Sequence, residues 1–226
     1  MKLSIAKARR LALRGQGLDG RWELPAGTEG AAEVIERLGY IQIDTIAVVQ
    51  RAHEHTFWAR YPKYTPKMLH AMQAEDRRVF EYWTHAMSYV PMRDYRYYLP
   101  RMRTFTGGDR YQKWHQENKP LMKQVLERIH KEGVLGSADF SDTKGKRGPW
   151  WDWKPAKAAL EMLFNSGVLM VTARRNFQRI YDLTERVLPA DTDITAPDQD
   201  ERGRFVVRWD QGRLVVASWG QRSPTF

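Results

Sequence analysis

The sequence predicts a mainly α-helical fold with small β wings (α+β), organised as two tandem winged-helix units and an irregular C-terminal tail. Apolar residues recur at helical spacing in several segments, and two pairs of short strands, at 79–90 and 168–182, each follow a helix. After Pro189 the chain becomes acidic and proline-containing, which is typical of a linker. We therefore expect units at 1–112 and 113–189, and a linker with a divergent tail at 190–226.

The first unit begins with two predicted helices. Ser4 is placed to cap a helix that runs to about Arg14, because Ile5, Ala8, Leu11 and Ala12 share one face. A second helix is predicted at 29–38, with its apolar residues at the i, i+3, i+4, i+7 positions. Gly39 follows directly, at the position where a helix commonly ends in a left-handed residue.

A strand is predicted next, over YIQIDTI at 40–46. Side chains alternate across a strand, so Gln42 and Asp44 should lie on the same face. Pro66 begins a predicted short helix at 66–73. Two strands, at 79–83 and 86–90, should then form a hairpin that turns at Thr84-His85.

The second unit is predicted from a similar pattern. Asn118-Lys119-Pro120 should begin a helix that buries Leu121, Val125 and Ile129, and Ser137 should cap a single turn. Pro155 begins a third helix, and Gly167 ends it. Strands at 168–173 and 177–182 complete the unit, and RFVVRWDQGRLVV at 204–216 is interpreted as a further hairpin.

Charge and composition indicate a polyanionic partner. The formal net charge is +10, aromatic residues are frequent, and cysteine is absent, which excludes disulfides and thiolate metal sites. The N-terminal segment lacks the continuous apolar run of a signal peptide, and no apolar run reaches the length of a membrane helix. These features predict a cytoplasmic, nucleoid-associated protein without a membrane partner; a well-packed core inside a basic shell is the alternative explanation of the composition.

Several basic side chains are candidates for phosphate contact, and together they would make DNA binding strongly dependent on salt. A solvated basic face is the alternative. Nearby Trp150, Trp151 and Trp153 would either stack on bases or pack against the start of the following helix. The predicted DNA-binding residues are His85, Lys144, Lys146, Arg147, Lys154, Lys157, Arg174, Arg175, Asn176 and Arg179.

Few residues suggest catalysis by their pattern alone. Gln42 and Asp44 form a Gln-apolar-Asp triplet that occurs by chance in many proteins; the alternative is a strand end whose polar side chains bond to loop amides. His53 and His55 have an H-x-H spacing that could chelate a metal, but no third ligand is obvious. The sequence contains no P-loop, no dinucleotide-binding glycine motif and no nucleophile elbow.

Longer blocks carry a family resemblance. The blocks YIQIDTI, EYWTHAMSYVP, SADF, WWDWKP and RRNFQRIYDLTERVLP occur in this order, within a resemblance that covers about residues 2–190. Together they resemble the bacterial winged-helix DNA glycosylases of the AlkZ/YcaQ type, which unhook DNA interstrand crosslinks. The triplet Gln42-Ile43-Asp44 is similar to the YcaQ-like branch, whereas the AlkZ-like branch has Gln-apolar-Gln.

The resemblance implies a monofunctional glycosylase that hydrolyses the N-glycosidic bond of N7-alkylated guanine, including guanine in crosslinks. Gln42 and Asp44 match the family's catalytic pair. An N7-alkylguanine is already cationic and leaves without protonation, so one carboxylate should suffice, with no metal or cofactor. A crosslinked base is tethered to the opposite strand, so we expect an open, basic site rather than a closed pocket. We expect the protein to be a monomer. Its expected partner is double-stranded DNA that carries alkylated purines or crosslinks.

The resemblance is expected to end near Pro189, whereas family members continue for roughly as long again. Residues 198–226 do not look like that continuation, which predicts a truncated chain, with a short paralogue as the alternative, and leaves the activity of this chain open. The alternatives are a non-catalytic DNA-binding protein, either a regulator or an inactive truncated glycosylase, and a winged helix that binds another protein. Base release that depends on Asp44 would distinguish the enzyme from the binding modules.

Overall fold

The computed structural model describes residues 3–105, 108–140 and 155–211. Within these ranges the chain forms helices and two small antiparallel sheets. The α-helices are α1 Ile5–Gly15, α2 Thr28–Leu38, α3 Ala52–Trp58, α4 Pro66–Ala74, α5 Leu99–Arg103, α6 Gly108–Glu117, α7 Lys119–Glu132, α8 Pro155–Asn165, α9 Thr184–Val187 and α10 Gln199–Gln211. The strands are β1 Ile41–Gln42, β2 Val79–Trp83, β3 Met87–Pro91, β4 Leu135–Gly136, β5 Leu169–Arg175 and β6 Gln178–Leu183, and 3₁₀ helices span Met92–Tyr98 and Ser137–Phe140.

The first sheet has the strand order β1-β3-β2 and is antiparallel throughout. Ile41 pairs with Tyr89 and Gln42 with Ser88, so β1 lies at one edge. Helices α2 and α4 contact each other and the sheet. Gly39 follows α2 directly with a φ of 78°, which is the left-handed conformation that the sequence predicts. The hairpin of β2 and β3 is confirmed, with its turn at 84–86.

The second sheet has the order β4-β6-β5, and α7 and α8 pack against it. Val125, Ile129 and Leu160 are fully buried, as their helical spacing predicts. The hairpin β5–β6 is confirmed, but β4 was not predicted because Leu135-Gly136 is too short to show an alternating pattern. The Gly136 N–H of β4 donates to the Asp139 carboxylate at 2.7 Å, and this bond joins the strand to the 3₁₀ turn.

The two halves share one hydrophobic core and are joined by polar contacts. The Tyr82 hydroxyl donates to the carbonyl oxygen of Asn165 at 2.6 Å, and the Trp83 indole donates to the Asn165 side chain at 2.9 Å. Arg77 reaches across from the α4–β2 turn and donates to the Thr172 hydroxyl at 2.6 Å. Because these donors have partners in the other half, the halves are held in a defined orientation.

Several predicted elements differ from those observed. The strand predicted at 40–46 is shorter: β1 spans Ile41–Gln42, and one further bond runs from the Ile43 N–H to the Met87 carbonyl oxygen at 2.8 Å. Beyond it, the Asp44 side chain accepts the Ile46 N–H, a turn-type contact that replaces strand pairing. Helix α1 is capped by Ser4 as predicted, yet it buries none of its residues. Helix α3 lies in a region for which no helix was predicted.

The largest correction concerns the acidic segment and its continuation. The hairpin predicted at 204–216 is wrong up to residue 211, where α10 is helical. Asp198 accepts the Glu201 N–H at 2.7 Å at the start of this helix, and Phe205 stacks on Tyr97 with 3.9 Å between ring centroids. Arg96 binds Glu201 and Asp193, so the whole segment folds back onto the 3₁₀ helix Met92–Tyr98.

In the part of the chain that the structure describes, no helix combines the length and the apolar character needed to cross a membrane.

Candidate active site

Gln42 and Asp44 lie at the end of β1 on the same side of the chain. The alternating residues Ile41 and Ile43 are buried, at 2% and 8% exposure, whereas Gln42 is exposed and Asp44 is partly exposed. The alternation that the sequence predicts is therefore present. Among the residues that the structure describes, the pair therefore lies at the protein surface.

Gln42 is oriented by the turn between β2 and β3. The Nε2 of His85 lies 3.1 Å from Oε1 of the Gln42 side chain, and the His85 Nδ1 lies 2.8 Å from the Tyr40 hydroxyl. One tautomer satisfies both contacts: Nε2–H donates to Gln42, and Nδ1 accepts from Tyr40. His85 thus fixes the side-chain oxygen of Gln42, and the NH₂ group of the same amide is left to meet a ligand.

Asp44 is held by contacts at both its backbone and its side chain. Its carboxylate accepts the Ile46 N–H at 2.8 Å, and its own N–H donates to Nδ1 of His53 at 3.3 Å. Arg51 donates to the carbonyl oxygen of Thr45 at 2.5 Å, and an isolated bridge joins Ala47 and Arg51. The loop that carries Asp44 is therefore braced before it reaches α3.

His53 is a buried, neutral side chain. It is 2% exposed, and burial, with help from Arg174 and Arg51, lowers its pKa to about 4. His55 lies two residues further along α3 but is exposed and packs on Trp58, so the two imidazoles do not converge. Among the described residues, no group of three His, Cys, Asp or Glu side chains is arranged to hold a metal ion.

The turn between β5 and β6 contacts this loop from the other half of the molecule. Asn176 and Phe177 form the turn, and both have the left-handed φ that such a turn needs, 49° and 66°. The Phe177 ring stacks on His53, with 5.9 Å between centroids, and the Arg51 guanidinium lies 3.5 Å from the ring centroid. Phe177 was not among the predicted site residues.

Arg174 and Arg179 do not extend into solvent, contrary to the predicted basic surface of this hairpin. Arg174 forms a bidentate ion pair with Glu81, with N–O distances of 2.6 and 2.7 Å. Arg179 binds Glu161 at 2.8 Å and approaches Glu81 at 3.4 Å. Because these carboxylates neutralise both guanidinium groups inside the protein, neither is available as an unpaired charge for phosphate.

Other predicted contact residues are at the surface or outside the described ranges. Arg175 and Asn176 are exposed at the end of the β5–β6 hairpin, and Lys157 is exposed near the start of α8. The remaining basic candidates and the tryptophans discussed with them fall outside the described residues. These are Lys144, Lys146, Arg147 and Lys154, with Trp150, Trp151 and Trp153.

Sequence patterns alone did not indicate how Tyr40, His53 and Phe177 contribute to the site. Tyr40 precedes the triplet and had been assigned only to the strand, while His53 had been considered only as a metal ligand. The H-x-H spacing was the available signal, but helical geometry turns its two members apart. Phe177 contacts His53 across a long stretch of chain, which no local pattern reports.

Comparison with known proteins extends the resemblance. A family model described as DNA glycosylase AlkZ-like matches residues 35–213, so the expectation that the family pattern ends near Pro189 is wrong. The structure of the Streptomyces sahachiroi DNA glycosylase AlkZ is similar, with a TM-score of 0.57 at 18% identity. The match covers 94% of this chain and 58% of that chain, so this chain spans less than two thirds of its length.

Proposed function

Because the chain belongs to the AlkZ-like DNA glycosylase family, we propose that it hydrolyses the N-glycosidic bond of N7-alkylated guanine in DNA, including crosslinked guanine. One observation carries the proposal: Gln42 and Asp44 lie side by side at an open strand end, each fixed by hydrogen bonds to the protein. An open site admits a nucleotide that remains joined to the opposite strand. A closed pocket would demand full extrusion of the base.

The reaction needs little acid catalysis. Alkylation at N7 places a positive charge on guanine, so the C1′–N9 bond breaks and the base departs as a neutral molecule. The sugar is left with oxocarbenium-like charge, and a water oxygen then bonds to C1′ while one proton is released. The product is an abasic site together with the free alkylated base.

We assign the charge stabilisation to Asp44 and the positioning to Gln42. The Asp44 carboxylate would face the cationic sugar and accept the proton of the attacking water. Its bond with the Ile46 N–H uses Oδ1. The Gln42 amide NH₂, whose carbonyl is bonded to His85, would donate to that water or to the nucleotide.

We further propose that the two halves are winged-helix units, at 1–112 and 113–189, and that their hairpin turns face the same duplex. Phe177 contacts both Arg51 and His53, which supports this placement because it joins the β5–β6 turn to the loop that carries Asp44. Arg175, Asn176 and His85 would contact the backbone beside the lesion. Lys157 and the basic residues at 144–154 would extend this contact along the DNA.

Incubation with duplex DNA that contains N7-methylguanine, followed by cleavage at abasic sites, tests the proposal. Asp44→Asn retains the side-chain oxygen that accepts the Ile46 N–H but removes the negative charge. We expect base release to fall roughly 10²–10³-fold, the cost of removing one preorganised electrostatic group. DNA binding should persist. Asp200→Asn, which makes the same charge change on exposed α10, is the matched control and should behave as wild type.

Equal and slow release by the wild type and by Asp44→Asn would refute the enzyme assignment. Tight, sequence-selective binding to undamaged duplex would instead support the non-catalytic DNA-binding protein. A substrate with a nitrogen-mustard crosslink between the strands tests the finer proposal, because unhooking separates the strands in a denaturing gel.

A further inference from the structure

Phe177 occupies an unusual position at the tip of the β5–β6 turn. Its ring contacts two guanidinium groups and one imidazole: Arg51 lies 3.5 Å and Arg174 4.4 Å from the ring centroid, and His53 stacks at an interplanar angle of 14°. Arg174 also donates to the Phe177 carbonyl oxygen at 2.8 Å, which fixes the turn. Two of these three side chains, Arg51 and His53, belong to the segment that follows Asp44.

Both of those side chains support the Asp44 loop directly. His53 accepts the Asp44 N–H through Nδ1, and Arg51 donates to the carbonyl oxygen of Thr45. Between Thr45 and Arg51 the loop makes few contacts with the rest of the protein, since Val48 and Val49 are 91% and 90% exposed. The position of Asp44 therefore depends on two groups whose rings or charges rest on Phe177.

The His53 contact works only while Nδ1 lacks a proton. Burial disfavours the charged imidazole most, and the cations of Arg174 and Arg51 act in the same direction. The carboxylates of Asp44 and Glu81 oppose them, yet the pKa of His53 falls to about 4.

Two further groups also face His53. Glu54 lies 3.7 Å from its Nε2, and Tyr89 meets the ring edge-on at 5.8 Å. The Nε2 nitrogen therefore carries the proton of the neutral ring, and Nδ1 faces the Asp44 N–H. If Nδ1 were protonated, two N–H groups would point at each other and the support for Asp44 would be lost.

We propose that Phe177 is a positioning residue, which holds Asp44 in its working place through His53 and Arg51. The role rests on the proposed function of Asp44, and it couples the β5–β6 turn, which would touch DNA, to the loop that would touch the damaged nucleotide. The turn belongs to one half of the molecule and the loop to the other. Base release therefore requires that the two halves pack together so that the β5–β6 turn contacts the Asp44 loop.

Phe177→Ala tests the role because it opens His53 to water. The pKa of His53 should rise from about 4 toward its ordinary value near 6.5. At a pKa of 6.5 only about one imidazole in eleven is neutral at pH 5.5, so base release should be lower at pH 5.5 than at pH 8, by up to about tenfold. The wild type should lack this drop. Spontaneous depurination is measured without protein and subtracted at each pH.

Three variants serve as controls. Phe177→Tyr retains the ring and should keep the wild-type pH profile. Phe177→Ala combined with His53→Asn should lose the pH dependence, because the asparagine oxygen accepts the Asp44 N–H at every pH. If Phe177→Ala does not fold, Phe177→Leu preserves apolar cover without the aromatic face and should show an intermediate rise of the His53 pKa.

The His53 pKa, followed by its imidazole resonances in NMR, needs no activity. It therefore separates this proposal from the proposed function. An unchanged His53 titration together with an unchanged pH profile in Phe177→Ala would overturn the positioning role. If the His53 pKa rises but no protein variant, the wild type included, releases base, the contact described here stands and the glycosylase assignment is refuted.

Discussion

Removing the charge of Glu81 should destabilise the protein severely. Glu81 has no exposed side-chain surface, and it receives Arg174 at 2.6 and 2.7 Å and the Gln73 amide at 2.9 Å. Glu81→Gln preserves the shape but leaves the Arg174 cation, which is only 12% exposed, without its counter-charge. Breaking one side of a buried ion pair costs roughly 3–5 kcal/mol, which corresponds to a fall of roughly 6–20 °C in Tm for a domain of this size.

Chemical denaturation followed by tryptophan fluorescence measures this loss. Glu127→Gln is the matched control, because it makes the same change in an exposed pair with Lys123 and should shift stability by no more than about 0.5 kcal/mol. Adding Arg174→Met to Glu81→Gln should recover part of the loss, since no unpaired charge remains buried. A loss below about 1 kcal/mol in Glu81→Gln alone would refute the reasoning.

Two further predictions concern pH and salt. Burial raises the pKa of Asp94 to about 6, so the folded state binds the Asp94 proton more tightly than the unfolded chain does. The free energy of unfolding therefore falls as the pH rises from about 4 to about 6. Asp94→Asn should remove that decline and be more stable than wild type at pH 7 by up to roughly 3 kcal/mol, as urea unfolding at several pH values would reveal. Arg175→Ala should weaken binding to all DNA sequences and reduce the salt slope by about one unit, whereas Arg202→Ala on α10 should change neither.

Local pattern predicted the elements whose signals are local. Helix α2 combines an apolar face with Gly39 at its end, and α8 combines Pro155 with buried Leu160, so both were confirmed. Helix α3 was missed because its buried residues include the polar His53 and Glu54, which do not mark an apolar face. In α10, the run Phe205-Val206-Val207 suggested a strand, but stacking of Phe205 on Tyr97 favours the helix.

Contacts between distant segments account for what the sequence could not predict at the site. Gln42 and Asp44 could be placed on one face from alternation alone. The partners of Arg174 could not, because Glu81 lies in the other half of the chain and an Arg-rich turn is equally consistent with a solvated surface. The same holds for Phe177, whose apolar side chain in a basic turn gave no hint that it touches His53.

The segment that folds back along the 3₁₀ helix Met92–Tyr98 also divides the charge of the molecule. Residues 191–201 include five carboxylates and no lysine or arginine, although the protein as a whole is strongly basic. Arg96 anchors this acidic stretch in a fixed place. The rest of the surface is therefore more positive than the total charge implies, and the acidic end is repelled by phosphate. A molecule with such a separation of charge turns in the field of a polyanion before contact, so under the proposed function DNA would meet its basic faces first.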